Sequence, residues 1–209
     1  AENPYRALGR AAYDAAAEDF TLGTIGAGTG ALSAMVKGGL GSASLQLPDG
    51  TMVGALVAAN PVGAVTTPGD RHFYAAPFEV DAEFGGMGPD PATGLGMMME
   101  SRKMASMSPR ENTTIAIVAT NATLTKAQCQ RMSVAAHDGI GRATVPAHTP
   151  YDGDLVFGLS IGADEVAEGI LPLIGHAASL CLARAIARAA YHATPAAGDL
   201  LPCWSDLNS

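Results

Sequence analysis

Residues 111–121 read ENTTIAIVATN, a polar knot of Glu111, Asn112, Thr113 and Thr114 running straight into an apolar, β-branched stretch. Branched side chains fit a pleated, half-buried surface, so residues 113–121 are expected to form a core strand. Two hydroxyls stand at its entrance, and residues 66–110, which feed it, carry Pro, Gly and Met with little periodicity. A threonine hydroxyl is a weak nucleophile until a base lies beside it, and a threonine that begins a chain brings its own α-amine as that base. Such an amine has an unperturbed pKa of about 7.7–8.0, so a fraction of it is neutral at physiological pH. The amine is released only by a cut ahead of the threonine, and a strand entered from a long loop can be cut there without dismantling the core. The plainer reading is that Thr is a good strand former and nothing more.

The flanking sequence supplies the other layers. After the strand, TKAQCQRMSVAAHDGIGRA reads as a helix capped by Thr125 or Thr123, with Gly139 and Gly141 marking a frayed end. HTPYDGD is a turn, GDLVFGLSIG another strand, and the Ala-rich residues 171–192 a long helix whose arginines lie toward the C-terminal end that the macrodipole favours. Ahead of the strand, SASLQL and TMVGALVAAN flank Pro48-Asp49-Gly50 and predict a hairpin over 42–60, closed by Asn60-Pro61. Residues 4–18 predict a helix with Asn3 as N-cap and Pro4 at its first position. Residues 66–110 read as a long loop with one short helix around 97–106, beside a Met cluster of Met97, Met98, Met99, Met104 and Met107. Strands and helices alternate loosely, which favours a layered α/β arrangement.

Composition narrows the function classes. The 209 residues carry a net charge of −8, and 12 Lys and Arg are spread too thinly to follow a phosphate backbone, so nucleic acid is not an expected partner. No wholly apolar run approaches the roughly 20 residues of a membrane span. Cys129, Cys181 and Cys203 are odd in number and widely spaced, which suggests buried thiols in a reducing compartment, the cytoplasm, with the periplasm as the alternative.

Several clusters invite a chemical reading. Gly26, Gly28 and Gly30 precede Lys37, but in neither the dinucleotide nor the P-loop spacing; the loop is expected to pack closely or to place Lys37 in a cleft. The five histidines show no zinc spacing, so no metal and no cofactor is expected, and His137 beside Asp138 reads as structural. Asp152 and Asp154 bracket Gly153 just before a strand. They are either turn formers or a carboxylate pair able to orient an amine or ammonium.

Taken together and in order, TIGAGTGA with Lys37, ANPVG with Asn60, FYAAPFEVDAEFGG, NTTIAIVATNATLT and HTPYDGDLVF resemble the DmpA-type aminopeptidases. These L-aminopeptidase/D-esterases include β-aminopeptidases and nylon-oligomer (6-aminohexanoate-oligomer) hydrolases, and the similarity runs from about Tyr5 to Ser160. The resemblance implies an α/β fold, a four-layer αββα sandwich of the DmpA/ornithine acetyltransferase type related to N-terminal-nucleophile hydrolases. It implies one domain over 1–209, cut by the protein itself between Asn112 and Thr113 into an α segment (1–112) and a β segment (113–209). Thr113 matches the nucleophile, Asn60 the oxyanion-stabilising asparagine, Lys37 the lysine after the Gly-rich loop, and Asp152 and Asp154 the acidic pair near the nucleophile. The implied activity is hydrolysis of small peptides or linear oligoamides by a homo-oligomer, a tetramer of processed units. The alternatives are an acyltransferase of the ornithine acetyltransferase type, or an inactive subunit or binding module. Family members carry an N-terminal region ahead of the helix that matches residues 4–18, with strands and a tyrosine of the oxyanion hole. This chain opens at that helix, which implies a fragment or a shortened relative completed by another chain.

Overall fold

The computed structural model describes residues 3–97, 100–106, 112–165 and 167–209. Its centre is a four-stranded sheet in the order β1-β2-β3-β4, made of β1 (Gly39–Gln46), β2 (Met52–Ala59), β3 (Ile115–Ala122) and β4 (Leu155–Asp164). β1, β2 and β3 run antiparallel in succession, while β4 lies parallel to β3 with Ile115 opposite Leu155. The end of β2 and the starts of β1, β3 and β4 therefore meet at one edge of the sheet. That edge gathers Lys37, Asn60, Thr113 and the Asp152–Asp154 turn, although they are far apart in sequence.

One face of the sheet is covered by α3 (Lys126–Ala143) and α4 (Leu171–Tyr191). Strand alternation turns Val53, Ala55, Val57, Ala116, Val118 and Ala122 into this core. Small residues let the layers approach. A Cβ on Gly41 would stand 1.9 Å from the Ala185 carbonyl oxygen, and one on Gly158 would stand 2.4 Å from Ser133 Oγ. α4 is long and apolar enough to cross a membrane, but here it is the central core helix. Its arginines do more than answer the helix dipole: Arg184 donates to the Ser44 carbonyl at 2.8 Å and to Glu83 Oε2 at 3.1 Å, tying the helix to β1 and the 79–86 loop.

On the opposite face of the sheet, β4 exposes Leu155, Phe157, Leu159 and Ile161. Of the four layers expected, the described residues form two, one sheet and one helical layer.

Other expectations are met or corrected locally. The hairpin turns at Gly50, whose φ of 90° suits glycine. Thr125, not Thr123, caps α3 in a reciprocal capping box with Gln128. The first helix, α1 (Tyr5–Asp14), is shorter than residues 4–18 and has no buried residue; Asn3 Oδ1 accepts from Tyr5 N at 3.0 Å, while Pro4 holds the cap position. The long segment 66–97 is not slack. Phe73 and Phe84 are core residues in edge-to-face contact with ring centroids 5.5 Å apart, and Thr67 donates to Asp90 at 2.6 Å. The expected helix around 97–106 is a 3₁₀ turn at Leu95–Met97 and a short α2 (Arg102–Ser106), while Met98, Met99 and Met107 lie outside the described residues. A last helix, α5 (Trp204–Asn208), was not expected from the sequence; it sets Trp204 against Phe73.

Gly139 and Gly141 do not fray α3, which continues to Ala143. Gly139 is the crossing point with α4: a Cβ there would stand 2.3 Å from the Ser179 carbonyl oxygen and 3.1 Å from Ala183 N. Alanine gains about 1 kcal/mol of helix propensity, but forcing the helices apart costs more, typically about 1–3 kcal/mol. Gly139→Ala is therefore expected to lower the thermal midpoint, and an unchanged or raised midpoint would contradict this packing.

Candidate active site

Thr113 and Thr114 are told apart by the period of the strand they open. Thr114 turns inward and is buried, while Thr113 faces the open side of the sheet. Thr113 Oγ1 donates to the carbonyl oxygen of Asn112 at 2.6 Å, and Thr113 N donates to the Asn60 carbonyl at 3.2 Å. The Asn112 carbonyl oxygen also accepts from Gly153 N at 2.9 Å. Two donors thus converge on the carbonyl directly ahead of Thr113 and polarise it. A Cβ on Gly153 would lie 2.9 Å from Thr113 Oγ1, so glycine is what allows the turn to approach the hydroxyl.

A cleft of about 340 Å³ opens beside this threonine, bounded by Thr29, Gly30, Ala58, Asn60, Thr113 and Ile115. The Gly-rich loop forms its wall by close packing, as expected. A Cβ on Gly28 would meet Leu40 N at 2.1 Å, and one on Gly23 would meet the His192 carbonyl oxygen at 1.9 Å.

Asn60 ends β2 with its side chain fixed at one end. Its Oδ1 accepts from Leu32 N at 3.1 Å and from Lys103 Nζ at 3.0 Å. Both partners are donors only, which settles which side-chain atom is oxygen. Nδ2 then carries the N–H pair, which makes no hydrogen bond among the described residues, and Asn60 lines the cleft.

The carboxylates play different parts. Asp152 accepts from Val62 N at 2.9 Å and from Thr149 N and Oγ1 at 3.1 and 2.7 Å, so it clamps its own turn to the end of β2. Asp154 accepts from Thr114 N at 3.0 Å through one oxygen and pairs with His148 Nδ1 at 3.1 Å through the other. His137 packs on His148 with ring centroids 5.4 Å apart, and burial, then His148, pulls its pKa below the usual value.

Lys37 starts at the same edge, but its ammonium is directed to the C-terminal segment. It donates to Asp199 Oδ2 at 2.7 Å and to the Thr194 carbonyl at 2.9 Å. That hydrogen bond, followed by one from Ala196 N, holds Asp199 below the ordinary carboxylate range. No hydrogen bond among the described residues joins Lys37 to Asn60 or Thr113. The ammonium beside Asn60 belongs to Lys103 of α2, which sequence reasoning missed: a single lysine in a Met-rich, aperiodic segment gives no sign that it is buried.

Residues 3–200 match the sequence profile of Peptidase family S58. The chain belongs to that family. An uncharacterized aminopeptidase of Mycobacterium leprae is 41% identical over 207 residues, covering 90% of this chain and 55% of that protein. The 6-aminohexanoate-oligomer endohydrolase of Paenarthrobacter ureafaciens is 29% identical over 170 residues, 78% of this chain and 46% of that protein. The solved structure of an L-aminopeptidase D-Ala-esterase/amidase from Ochrobactrum anthropi, described as a variant of the Ntn hydrolase fold, superposes with a TM-score of 0.67 at 23% identity. That match covers 95% of this chain and 54% of the other. The family resemblance and the fold class read from the motifs are thereby borne out, and the chain spans about half the length of the relatives it matches.

Proposed function

We propose that this chain is the catalytic part of a self-processing N-terminal-threonine amide hydrolase acting on peptides or linear amides, 6-aminohexanoate oligomers among them. The observation that carries the reading is the paired contact on the Asn112 carbonyl, from the Thr113 hydroxyl on one side and Gly153 N–H on the other. Thr113 Oγ1 attacks the Asn112 carbonyl carbon, the new C–O bond replaces the Asn112–Thr113 C–N bond, and the hydroxyl proton ends on the released nitrogen. Water then opens the ester, leaving a carboxylate on Asn112 and a free hydroxyl and α-amine on Thr113. In the processed enzyme the same oxygen attacks a substrate amide while the α-amine takes the proton and returns it to the leaving group. Asn60 Nδ2 donates to the oxyanion. Asp154, bound to Thr114 N, holds the peptide next to the nucleophile, and Asp152 anchors the turn that carries Gly153.

Assembly into a homo-oligomer of processed units is part of the proposal. A cytoplasmic location is supported by three cysteines that form no disulfide.

Gly153→Ala tests the self-cleaving geometry without removing a functional side chain. The added methyl displaces the Thr113 hydroxyl, and misplacement of a reacting atom by about 1 Å costs on the order of 10²-fold. Precursor conversion, followed by mass spectrometry, is expected to slow on that scale; wild-type conversion would count against the geometry. For substrate, the processed full-length protein is to be assayed on β-amino, D-amino and 6-aminohexanoyl amides. Hydrolysis of at least one class is expected, and inertness toward all three would contradict the hydrolase reading.

A further inference from the structure

Lys103 is held in a cage of oxygens. Its three N–H groups are shared among four oxygens, the carbonyls of Leu32 at 2.7 Å, Pro61 at 2.9 Å and Asn60 at 3.3 Å, and Asn60 Oδ1 at 3.0 Å. The residue is 3% exposed. Its backbone is anchored independently of the Asn112–Thr113 bond: Lys103 N donates to the Ala34 carbonyl at 3.0 Å, and Arg102 donates to Met35 O at 3.0 Å and Asp70 Oδ2 at 2.7 Å. Cutting the chain after Asn112 breaks none of these contacts.

Two consequences follow from what this ammonium touches. By occupying Asn60 Oδ1 it prevents the amide from flipping, and a flipped amide would present an acceptor to the oxyanion instead of a donor. It also shares the Asn60 carbonyl with Thr113 N, so it places a positive charge one carbonyl away from the nitrogen that becomes the α-amine.

Resting on the hydrolase reading above, we propose that Lys103 is a positioning residue for that reaction. It fixes the Asn60 amide with its N–H toward the cleft, and its charge favours the neutral, proton-accepting form of the Thr113 amine. A neighbouring cation disfavours protonation, which is the sign a general base requires. Among the described residues, the other charged groups at this edge do not substitute for it. Asp152 faces Lys103 from the turn but is spent on Val62 and Thr149; Asp154 is bound to Thr114 N and His148; Arg102 is turned to Asp70, and Lys37 to Asp199. Burial pulls the Lys103 pKa down to about 8, opposed by the Asp152 carboxylate, so its charge is retained through neutral pH and lost just above it.

A double-mutant cycle on the processed, full-length protein tests this. Lys103→Met is expected to lower kcat about 10²-fold, the scale of a lost oxyanion contact, with KM within about twofold. Lys103→Met combined with Asn60→Ala should be about as slow as Asn60→Ala alone, because the lysine acts through the asparagine. The acidic limb of the Lys103→Met pH–rate curve should also move up by about one unit as the amine loses its cationic neighbour. Losses that multiply, or an unmoved limb, would overturn the proposal. If Lys103→Met does not fold, wild type and Asn60→Ala are compared from pH 7 to 9.5. Wild-type kcat should decline above about pH 8 and that decline should be missing from Asn60→Ala; the same decline in both overturns it. A wild type that neither cuts itself nor hydrolyses amides overturns the hydrolase reading and this inference together, whereas an active wild type matched by Lys103→Met overturns only the inference.

Discussion

Thr113→Ala is expected to leave the chain uncut and without hydrolytic activity. One oxygen serves two reactions in this account, first on the Asn112 carbonyl and then on the substrate carbonyl, so its removal abolishes both. Loss of a hydrolase nucleophile lowers kcat on the order of 10⁶-fold, which places the residual rate below ordinary detection. The fold should survive, because Thr113 faces the open side of the sheet and its hydroxyl bonds only to the adjacent carbonyl among the described residues. Thr113→Ser keeps the hydroxyl and is expected to process. Thr114→Ala removes a buried hydroxyl that makes no hydrogen bond among the described residues, and is expected to process like wild type. Gel or mass analysis of the three variants decides among them, and cleavage after Asn112 in Thr113→Ala would remove Thr113 from the mechanism.

Asn60→Ala is expected to lower turnover by about 10²–10³-fold, or about 2.7–4 kcal/mol of transition-state stabilisation, with little change in substrate affinity. The asymmetry arises because the amide donates to charge that develops on the carbonyl oxygen only as the tetrahedral species forms. Asn60→Asp sharpens the test. It keeps an acceptor for Leu32 N and Lys103 Nζ but replaces the donating nitrogen with oxygen, so the local hydrogen bonds are preserved while the oxyanion contact is lost. Both variants should be impaired in kcat. If Asn60→Asp turns over like wild type, Asn60 is not an oxyanion donor.

Much of this was legible in the sequence, for reasons that can be named. The hairpin was marked by Pro48-Asp49-Gly50 between two apolar runs, β3 by its β-branched residues, and α3 by a threonine cap at 125 or 123, of which Thr125 is the one used. Asn60 and Thr113 were singled out as candidates through motifs, and the antiparallel β2–β3 pairing explains why they meet. What stayed hidden depends on tertiary contact. Gly139 looked like a helix end because a glycine that lets two helices cross has the same one-letter signature as one that frays a terminus. Residues 66–97 looked loose because their order comes from scattered partners, such as Thr67 with Asp90 and Tyr74 Oη with the Leu95 carbonyl, and not from a period. The two lysines show the limit most clearly. Lys37 follows a recognisable motif yet pairs with Asp199, whereas Lys103 follows none and lies on Asn60.

The central claim is that the protein cuts its own chain to expose Thr113, and intact-mass and N-terminal analysis of freshly purified protein tests it most directly. The account predicts two fragments, one ending at Asn112 and one beginning with Thr113. A single unbroken chain that never converts on incubation would contradict it.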